Sequence, residues 1–262
     1  MTTTILIAAL IAGVGHHGVS YGESLLDSTH VRHPALIAVQ IEVADGQGHP
    51  ITIARAWDGR PRSWDKQTLS DANGNEIGTV TVATRCADAA WNTAIASELS
   101  RRIYSSASLS EPAPYVPGAA LAPYAQGLVE DAINRDPLLV TLAFHVTPPL
   151  AQSNSIIASS FGRIGKLADA DDARVIREGA TLRELTNGGK RLAIELPLLD
   201  GRGHTMGALS TSFRIDHGAD LESIAKRAIA LRDSLARKIP SLEALFRPAT
   251  ASRQVRGLHD CL

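Results

Sequence analysis

The sequence is poor in cysteine, in aromatic residues and in excess charge of either sign. Only Cys86 and Cys261 occur among 262 residues, with no Cys-x-x-Cys or Cys/His cluster, which argues against a structural zinc site. A disulfide between them stays open, without support from their spacing. Aromatic residues make up 4% and the net charge is -1, so neither a basic surface nor base-stacking side chains favour nucleic acid. We expect no nucleic-acid partner.

Long apolar runs are also missing. The apolar run Ile5–Val14 is too short to cross a bilayer, which takes about 20 residues, but it has the length of the apolar region of a signal peptide. No Lys or Arg precedes it. We therefore expect a signal peptide over residues 1–22 and a periplasmic or secreted protein. The alternative is a buried strand or helix in a cytoplasmic protein.

Recognised catalytic motifs are absent as well. The segment "GRIGKL" fails the P-loop pattern because Gly162 is too close to Lys166 and Leu167 replaces the hydroxyl residue. There is no G-x-S-x-G elbow and no H-E-x-x-H. We predict a protein that is not an enzyme and needs no cofactor or metal, with a hydrolase of unrecognised site as an alternative.

What the sequence does contain is an internal similarity. The segment "LSDANGNEIGTVTV" at Leu69–Val82 resembles "LLDGRGHTMGALST" at Leu198–Thr211. Each reads as an apolar strand end, a turn of Asp, Asn and Gly type, and a second strand, which is hairpin chemistry. The second glycines, Gly78 and Gly207, keep the same spacing from the first in both copies.

Further matches upstream and downstream occur in the same order, which favours a duplicated unit. Each unit reads as two strands, a variable segment, two strands and a helix with a basic last turn. We predict an α+β fold of two units, each an antiparallel sheet flanked by helices. The units span residues 23–108 and 126–245, joined by a proline-rich linker at 109–125 and followed by a flexible tail at 246–262.

The second unit resembles the Cache branch of PAS-like sensory domains. The similarity lies in "SIIASSFGRIGKLAD" and "RLAIELPLLDGRGHTMGALSTSF". The residues that carry it are Ala158, Ser159, Ile164, Gly165, Lys166, Pro197, Asp200, Gly203 and Gly207. The resemblance implies a sheet with helices on one side and a cavity for a small metabolite, such as a carboxylate or amino acid, outside the cytoplasmic membrane.

Unlike sensors of this type, the sequence has no transmembrane helix after the module and no kinase, cyclase or chemoreceptor region. We therefore expect a ligand-binding protein that acts with a separate membrane signalling partner. An interaction or dimerisation module for a membrane receptor is the alternative, and a homodimer stays open.

Candidate ligand-binding residues are polar side chains in or next to these strands. His145 shares a strand face with Ala143, opposite the apolar residues of "LAFHV". Cations near the "GRIGKL" turn and in the last strands could pair with an anionic ligand, although solvated cations and a satisfied histidine are the simpler alternatives. The predicted set is His145, Ser159, Arg163, Lys166, Arg191 and Arg214.

The acidic run Asp169, Asp171 and Asp172 has two interpretations. Carboxylates could hold a hard metal ion, but the spacing of a calcium loop is absent. The run also precedes a probable amphipathic stretch, where a capping side chain and first-turn acids are expected. We predict a capped helix over Asp171–Glu178.

Overall fold

The computed structural model describes residues 19–57, 59, 63–85, 89–116, 119–216 and 218–248. The apolar run Ile5–Val14 and both cysteines lie outside these residues. Five helices are α1 Tyr21–Arg32, α2 Ala89–Arg102, α3 Pro123–Arg135, α4 Ala170–Glu178 and α5 Leu221–Ala236. The strands are β1 Leu36–Ala44, β2 Pro50–Ala56, β3 Ser63–Ser70, β4 Glu76–Thr84, β5 Leu139–Val146, β6 Ser155–Ser159, β7 Leu182–Thr186, β8 Arg191–Leu199 and β9 Thr205–Arg214.

The first sheet is antiparallel, with strand order β2-β1-β4-β3. Residues of alternating polarity give β1 an apolar face, on which Val39, Ile41 and Val43 are buried. Helices α1 and α2 cover that face, and Leu99 of α2 belongs to the same core.

The second sheet is antiparallel as well, with strand order β6-β5-β9-β8-β7. Its apolar face, with Leu142 and Phe144 of β5 and Phe213 of β9, packs against α3 and α5. The predicted α+β class with two antiparallel sheet units is thus confirmed. If β7 is left out, the order β6-β5-β9-β8 of the second sheet corresponds strand for strand to the order β2-β1-β4-β3 of the first.

The matching hairpins have the same turn. Asp71 Oδ1 accepts the backbone N–H groups of the residues two and four positions later, and Asp200 Oδ1 does the same. Beyond each turn, Gly78 and Gly207 lie where a Cβ atom would overlap the backbone carbonyl of the neighbouring strand. The spacing shared by the two sequence segments therefore reflects a turn closed by an aspartate and, beyond it, a strand position with no room for a Cβ atom.

Helix α4 lies on the face of the second sheet opposite α3 and α5, where it packs against β8 and β9. The side chain of Asp169 caps the helix by accepting hydrogen bonds from the backbone N–H groups of Asp171 and Asp172. In turn, Asp172 Oδ2 accepts a hydrogen bond from the backbone N–H of Asp169. The predicted cap is confirmed, one residue from the predicted helix start.

A partly buried cluster of charges joins the two units. Arg102 of α2 is 4% exposed, with Nη1 3.2 Å from Glu130 Oε1 of α3 and Nε 3.6 Å from Glu98 Oε1. Arg32 contacts both carboxylates, at 2.7 Å and 3.5 Å, and His33 contacts Glu98 at 2.7 Å. Burial tends to raise the pKa of Glu98, but its hydrogen bond to the histidine and the two arginines lower it to about 2.

The predicted linker is partly helical in the structure. A 3-10 helix at Ala107–Ser110 begins it, and α3 starts at Pro123, where the fixed φ of proline suits a first helical turn. In the described part of the chain, no helix combines the length and apolar character needed to cross a membrane.

Candidate functional site

The polar face of the second sheet has small residues at its centre. Ala143 of β5, Ser210 of β9 and Glu195 of β8 lie side by side in one row of paired residues, and Thr141, Ser212 and Ala193 form the next row. Side chains of alanine and serine size leave space above the strands, and α4 packs against β8 and β9 on the same face of the sheet. The hollow is thus a consequence of residue size.

A cavity of about 250 Å³ occupies this space. Besides the small residues, charged and aromatic side chains line it. Tyr104 comes from the segment after α2 in the first unit, so both units contribute to the lining. The charged and aromatic lining residues are Tyr104, His145, Phe161, Arg163, Lys166, Arg191 and Glu195.

Arg191, the first residue of β8, presents a buried cation to the cavity. It is 4% exposed, and Nε and Nη2 have no hydrogen-bond partner among the described residues. Its guanidinium lies over the ring of Tyr104, 5.2 Å from the centroid, a cation–π contact. Burial lowers the pKa of Arg191, although a guanidinium stays charged.

Glu195 lies four residues further along the same face of β8. Its Oε2 is buried and accepts no hydrogen bond from any residue that the structure describes. Burial raises the pKa of Glu195 to about 7, and Asp172 and the other acids of α4 add to the effect. The carboxyl group therefore changes charge near neutral pH.

His145 and Asp172 connect the sheet to α4. They are 8% and 2% exposed, and His145 Nδ1 lies 3.0 Å from Asp172 Oδ2, in an orientation outside regular hydrogen-bond geometry. The hydroxyl of Ser210 donates to the other oxygen of Asp172 at 3.5 Å. Burial tends to raise the pKa of Asp172, but the contacts with His145, the backbone of Asp169 and Ser210 together outweigh it, and the pKa is lowered.

Arg163 and Lys166 also line the cavity. Arg163 is already paired, because its Nε and Nη2 donate to the two oxygens of Glu111 at 3.1 Å and 3.0 Å. That hydrogen bonding raises the pKa of Arg163. The backbone of Arg163 has φ 65°, and the turn it forms places its guanidinium 5.8 Å from the Tyr104 centroid.

The structure therefore brings together four of the six residues predicted from the sequence: His145, Arg163, Lys166 and Arg191. Ser159 lines a different cavity of about 380 Å³, between α1, α3 and β6, and its backbone is bonded to Gln126. Arg214 ends β9 at the surface, where Nε donates to Asp216 at 2.9 Å, and it lines neither cavity.

Sequence reasoning missed Glu195 and Tyr104. For Glu195 a signal was available, since two-residue alternation in "RLAIE" puts it on the same strand face as Arg191 and Ala193. For Tyr104 there was none, because it belongs to the other unit and reaches the cavity only through tertiary packing.

Comparisons with known proteins give no family. No protein-family model matches the chain, and no curated protein matches it. Among solved structures, the chain is similar to the A. Aeolicus nlh2 GAF domain, with 15% identity and a TM-score of 0.29 over 41% of this chain and 73% of that one. It is also similar to a free methionine-R-sulfoxide reductase from Thermoplasma acidophilum, with 11% identity and a TM-score of 0.32 over 45% of this chain and 92% of that one.

A third similar structure is the inducer-binding domain of the transcription factor PobR from Acinetobacter, in complex with 3-hydroxybenzoic acid. It has 14% identity and a TM-score of 0.19 over 86% of this chain and 99% of that one. Similarities at these identities and TM-scores do not assign a function to this chain.

Proposed function

We propose that the protein is a non-enzymatic binding or sensing protein for a small anionic metabolite, held in the cavity of the second unit. The observation that carries the proposal is the buried guanidinium of Arg191, whose Nε and Nη2 have no hydrogen-bond partner among the described residues and which faces a hollow of about 250 Å³. A cation in that setting is expensive to bury without a partner.

An anionic group supplies what Arg191 lacks. A carboxylate can accept two parallel hydrogen bonds from a guanidinium, which are among the stronger polar contacts in proteins. Neighbouring Arg163 does not compete for this role, because Glu111 already pairs with it. Apolar walls from Ala143, Ile156 and Phe161 suit a short hydrocarbon body.

The proposal also includes that the protein is exported and that it acts through a separate output partner. The apolar run before α1 motivates export, and N-terminal sequencing of the mature protein is its test: a start near Tyr21 supports export, and an intact Met1 contradicts it. Output through a partner is motivated by the shared lining of the cavity, in which Tyr104 of the first unit faces Arg191 of the second.

Thermal unfolding with a panel of small organic acids tests the binding function. A ligand at 100 times its dissociation constant adds about 2.7 kcal/mol to the free energy of unfolding. We expect a carboxylate to raise the melting temperature of the wild type and of Arg214→Gln, a matched surface control, but not of Arg191→Gln. Equal stabilisation of both variants, or none by any acid, would overturn the proposal.

A second candidate, a hydrolase, is favoured by the contact between His145 and Asp172 at the cavity wall. Such a pair can orient an imidazole for acid–base catalysis. However, the hydroxyl of Ser210 donates to Asp172 and not to His145, so the histidine is not placed to activate this hydroxyl as a nucleophile. Ester and amide hydrolysis by the wild type that is lost in His145→Ala would establish this candidate in place of the first.

A further inference from the structure

We propose that the ligand is bifunctional, with an anionic group at one end and an ammonium group at the other, and that Glu195 selects the ammonium end. The chemical class is an ω-amino carboxylate with a short hydrocarbon chain. This inference rests on the proposed function, since Arg191 is taken to hold the anionic end.

The cavity has a buried cation, Arg191, and a half-buried acid, Glu195, each with side-chain atoms that lack a hydrogen-bond partner among the described residues. Arg191 lacks acceptors for Nε and Nη2, and Glu195 lacks a donor for Oε2, among all residues that the structure describes. In particular, the two side chains do not pair with each other. A ligand with one group of each sign would satisfy both, and the filled cavity would gain no net charge.

The spacing of the two groups favours a long ligand over a compact one. They lie on one strand face with a single inward position, Ala193, between them, so their Cα atoms are about 13 Å apart at the rise of a β-strand. In an α-amino acid the ammonium and carboxylate are attached to one carbon and are only about 3 Å apart. We therefore expect such a compact zwitterion to contact only one of the two residues at a time.

The floor between the two ends fits a hydrocarbon chain. Ala193 and its neighbour Ser212 occupy the row between Arg191 and the row of Glu195. The hydroxyl of Ser212 is already in a hydrogen bond of 2.7 Å with Thr141, so it makes no demand on a ligand. Methylene groups can lie over this row without leaving a polar group unsatisfied.

The other acids near Glu195 lie on α4 and β7, and the exposed cation Lys166 lines the same cavity. Asp172 of α4 is held by His145 of β5 and by the helix cap, whereas Asp169 and Asp171 belong to the cap and first turn of α4. Glu184 of β7 is exposed. All of these acids raise the negative potential around Glu195, which favours a cation beside it.

Titration calorimetry with matched five-carbon probes tests the inference. The probes are 5-aminopentanoate, pentanoate, pentylamine and 2-aminopentanoate, against the wild type, Glu195→Gln and the exposed-acid control Glu184→Gln. We expect wild type and control to bind 5-aminopentanoate at least ten-fold more tightly than any other probe. In Glu195→Gln, 5-aminopentanoate and pentanoate should bind equally.

The outcomes separate the two proposals. Wild-type binding of pentanoate or 2-aminopentanoate as tight as that of 5-aminopentanoate would overturn the bifunctional ligand and leave the anion site intact. Persistence of the preference in Glu195→Gln would overturn the role of that residue. Absence of binding by every probe, also when the chain length is varied from four to six carbons, would overturn the bifunctional ligand, and the wider acid panel would then decide on the anion site.

Discussion

In the first unit, Glu42 and Lys66 occupy the sheet positions that His145 and Glu195 occupy in the second. Glu42 and Lys66 pair with each other at 2.9 Å, and their side chains are 42% and 58% exposed. The charges of Glu42 and Lys66 are therefore paired in solvent, whereas Arg191 of the second sheet is buried, Glu195 is half-buried, and both have atoms without a hydrogen-bond partner among the described residues.

The difference follows from the segment that connects β2 to β3 in the first unit and β6 to β8 in the second. In the first unit the chain passes from Ala56 to Ser63, while in the second it passes from Ser159 to Arg191 and forms α4 and β7 on the way. The longer connection packs α4 against β8 and β9 on the polar face and reduces its exposure to water. The same sheet geometry thus presents an exposed polar surface in one unit and a half-open cavity in the other.

The largest expected effect concerns what the two sheets share. Alanine at Gly207 or at Gly78 would place its Cβ against the carbonyl of His145 or Glu42. We expect each substitution to lower the free energy of unfolding by about 3 kcal/mol, because backbone would have to move in the sheet. Urea denaturation measures this.

The matched controls for that prediction are the turn glycines. Gly203→Ala meets open space, but φ there is +86°. It should cost only about 1–2 kcal/mol, the cost of a left-handed conformation. If Gly207→Ala were tolerated as well as Gly203→Ala, close approach would not be the reason for the shared glycine.

A second experiment fills the hollow in one sheet and not in the other. Ser210→Leu should abolish the stabilisation by ligand, about 2.7 kcal/mol at 100 times the dissociation constant, because leucine occupies the cavity floor. Thr81→Leu changes the matching position of the first sheet and should leave that stabilisation intact. Ligand-induced shifts in melting temperature, each relative to the same variant without ligand, decide the matter. A full shift in Ser210→Leu would place the ligand elsewhere.

The buried acid should make the second unit sensitive to pH. Folding raises the pKa of Glu195 to about 7, so the folded state holds this proton more tightly than the unfolded state does. The stability that this gives is present at low pH and is lost as pH rises through about 7. We expect Glu195→Gln to be more stable than the wild type by about 1 kcal/mol at pH 8, allowing for solvent screening, and by less at pH 5.

Thermal melts over this pH range check the prediction, with Glu184→Gln as the exposed control. A difference between Glu195→Gln and the wild type that stays constant from pH 5 to pH 8 would contradict it.

The smallest effect is expected at the corresponding pair of the first unit. Lys66→Gln removes an exposed ion pair and should change the free energy of unfolding by at most about 0.5 kcal/mol, because solvent screens such charges. Denaturation at low and high salt measures it. A decrease in the free energy of unfolding as large as that for a buried ion pair would show that the polar faces of the two sheets are more alike than their exposure suggests.

Local chemistry made the hairpins, the strand faces and the cap of α4 predictable. Aspartate and glycine at fixed spacing specify the turns, and two-residue alternation placed His145 on the polar face. Strand β7 was not predicted, since its residues Leu182–Thr186 have little burial to give a periodic pattern.

The site was predictable only in part, because ion pairs with carboxylates determine which arginines have N–H groups available to a ligand. Arg163, Arg191 and Arg214 are alike in sequence terms, each close to a strand. Only the fold shows that Glu111 holds the first and Asp216 the last. No local pattern separates the arginine that lacks a carboxylate partner from those that have one.

The charge cluster between the helices bears on how the second unit has to be produced for study. A polypeptide cut to residues 126–245 would retain Glu130 but lose Arg32 and Arg102, the arginines that contact it. The same cut would remove Tyr104 from above Arg191. We therefore expect a fragment with the boundaries that the sequence suggests to bind ligand less tightly than the whole chain, since the neighbouring unit supplies these contacts.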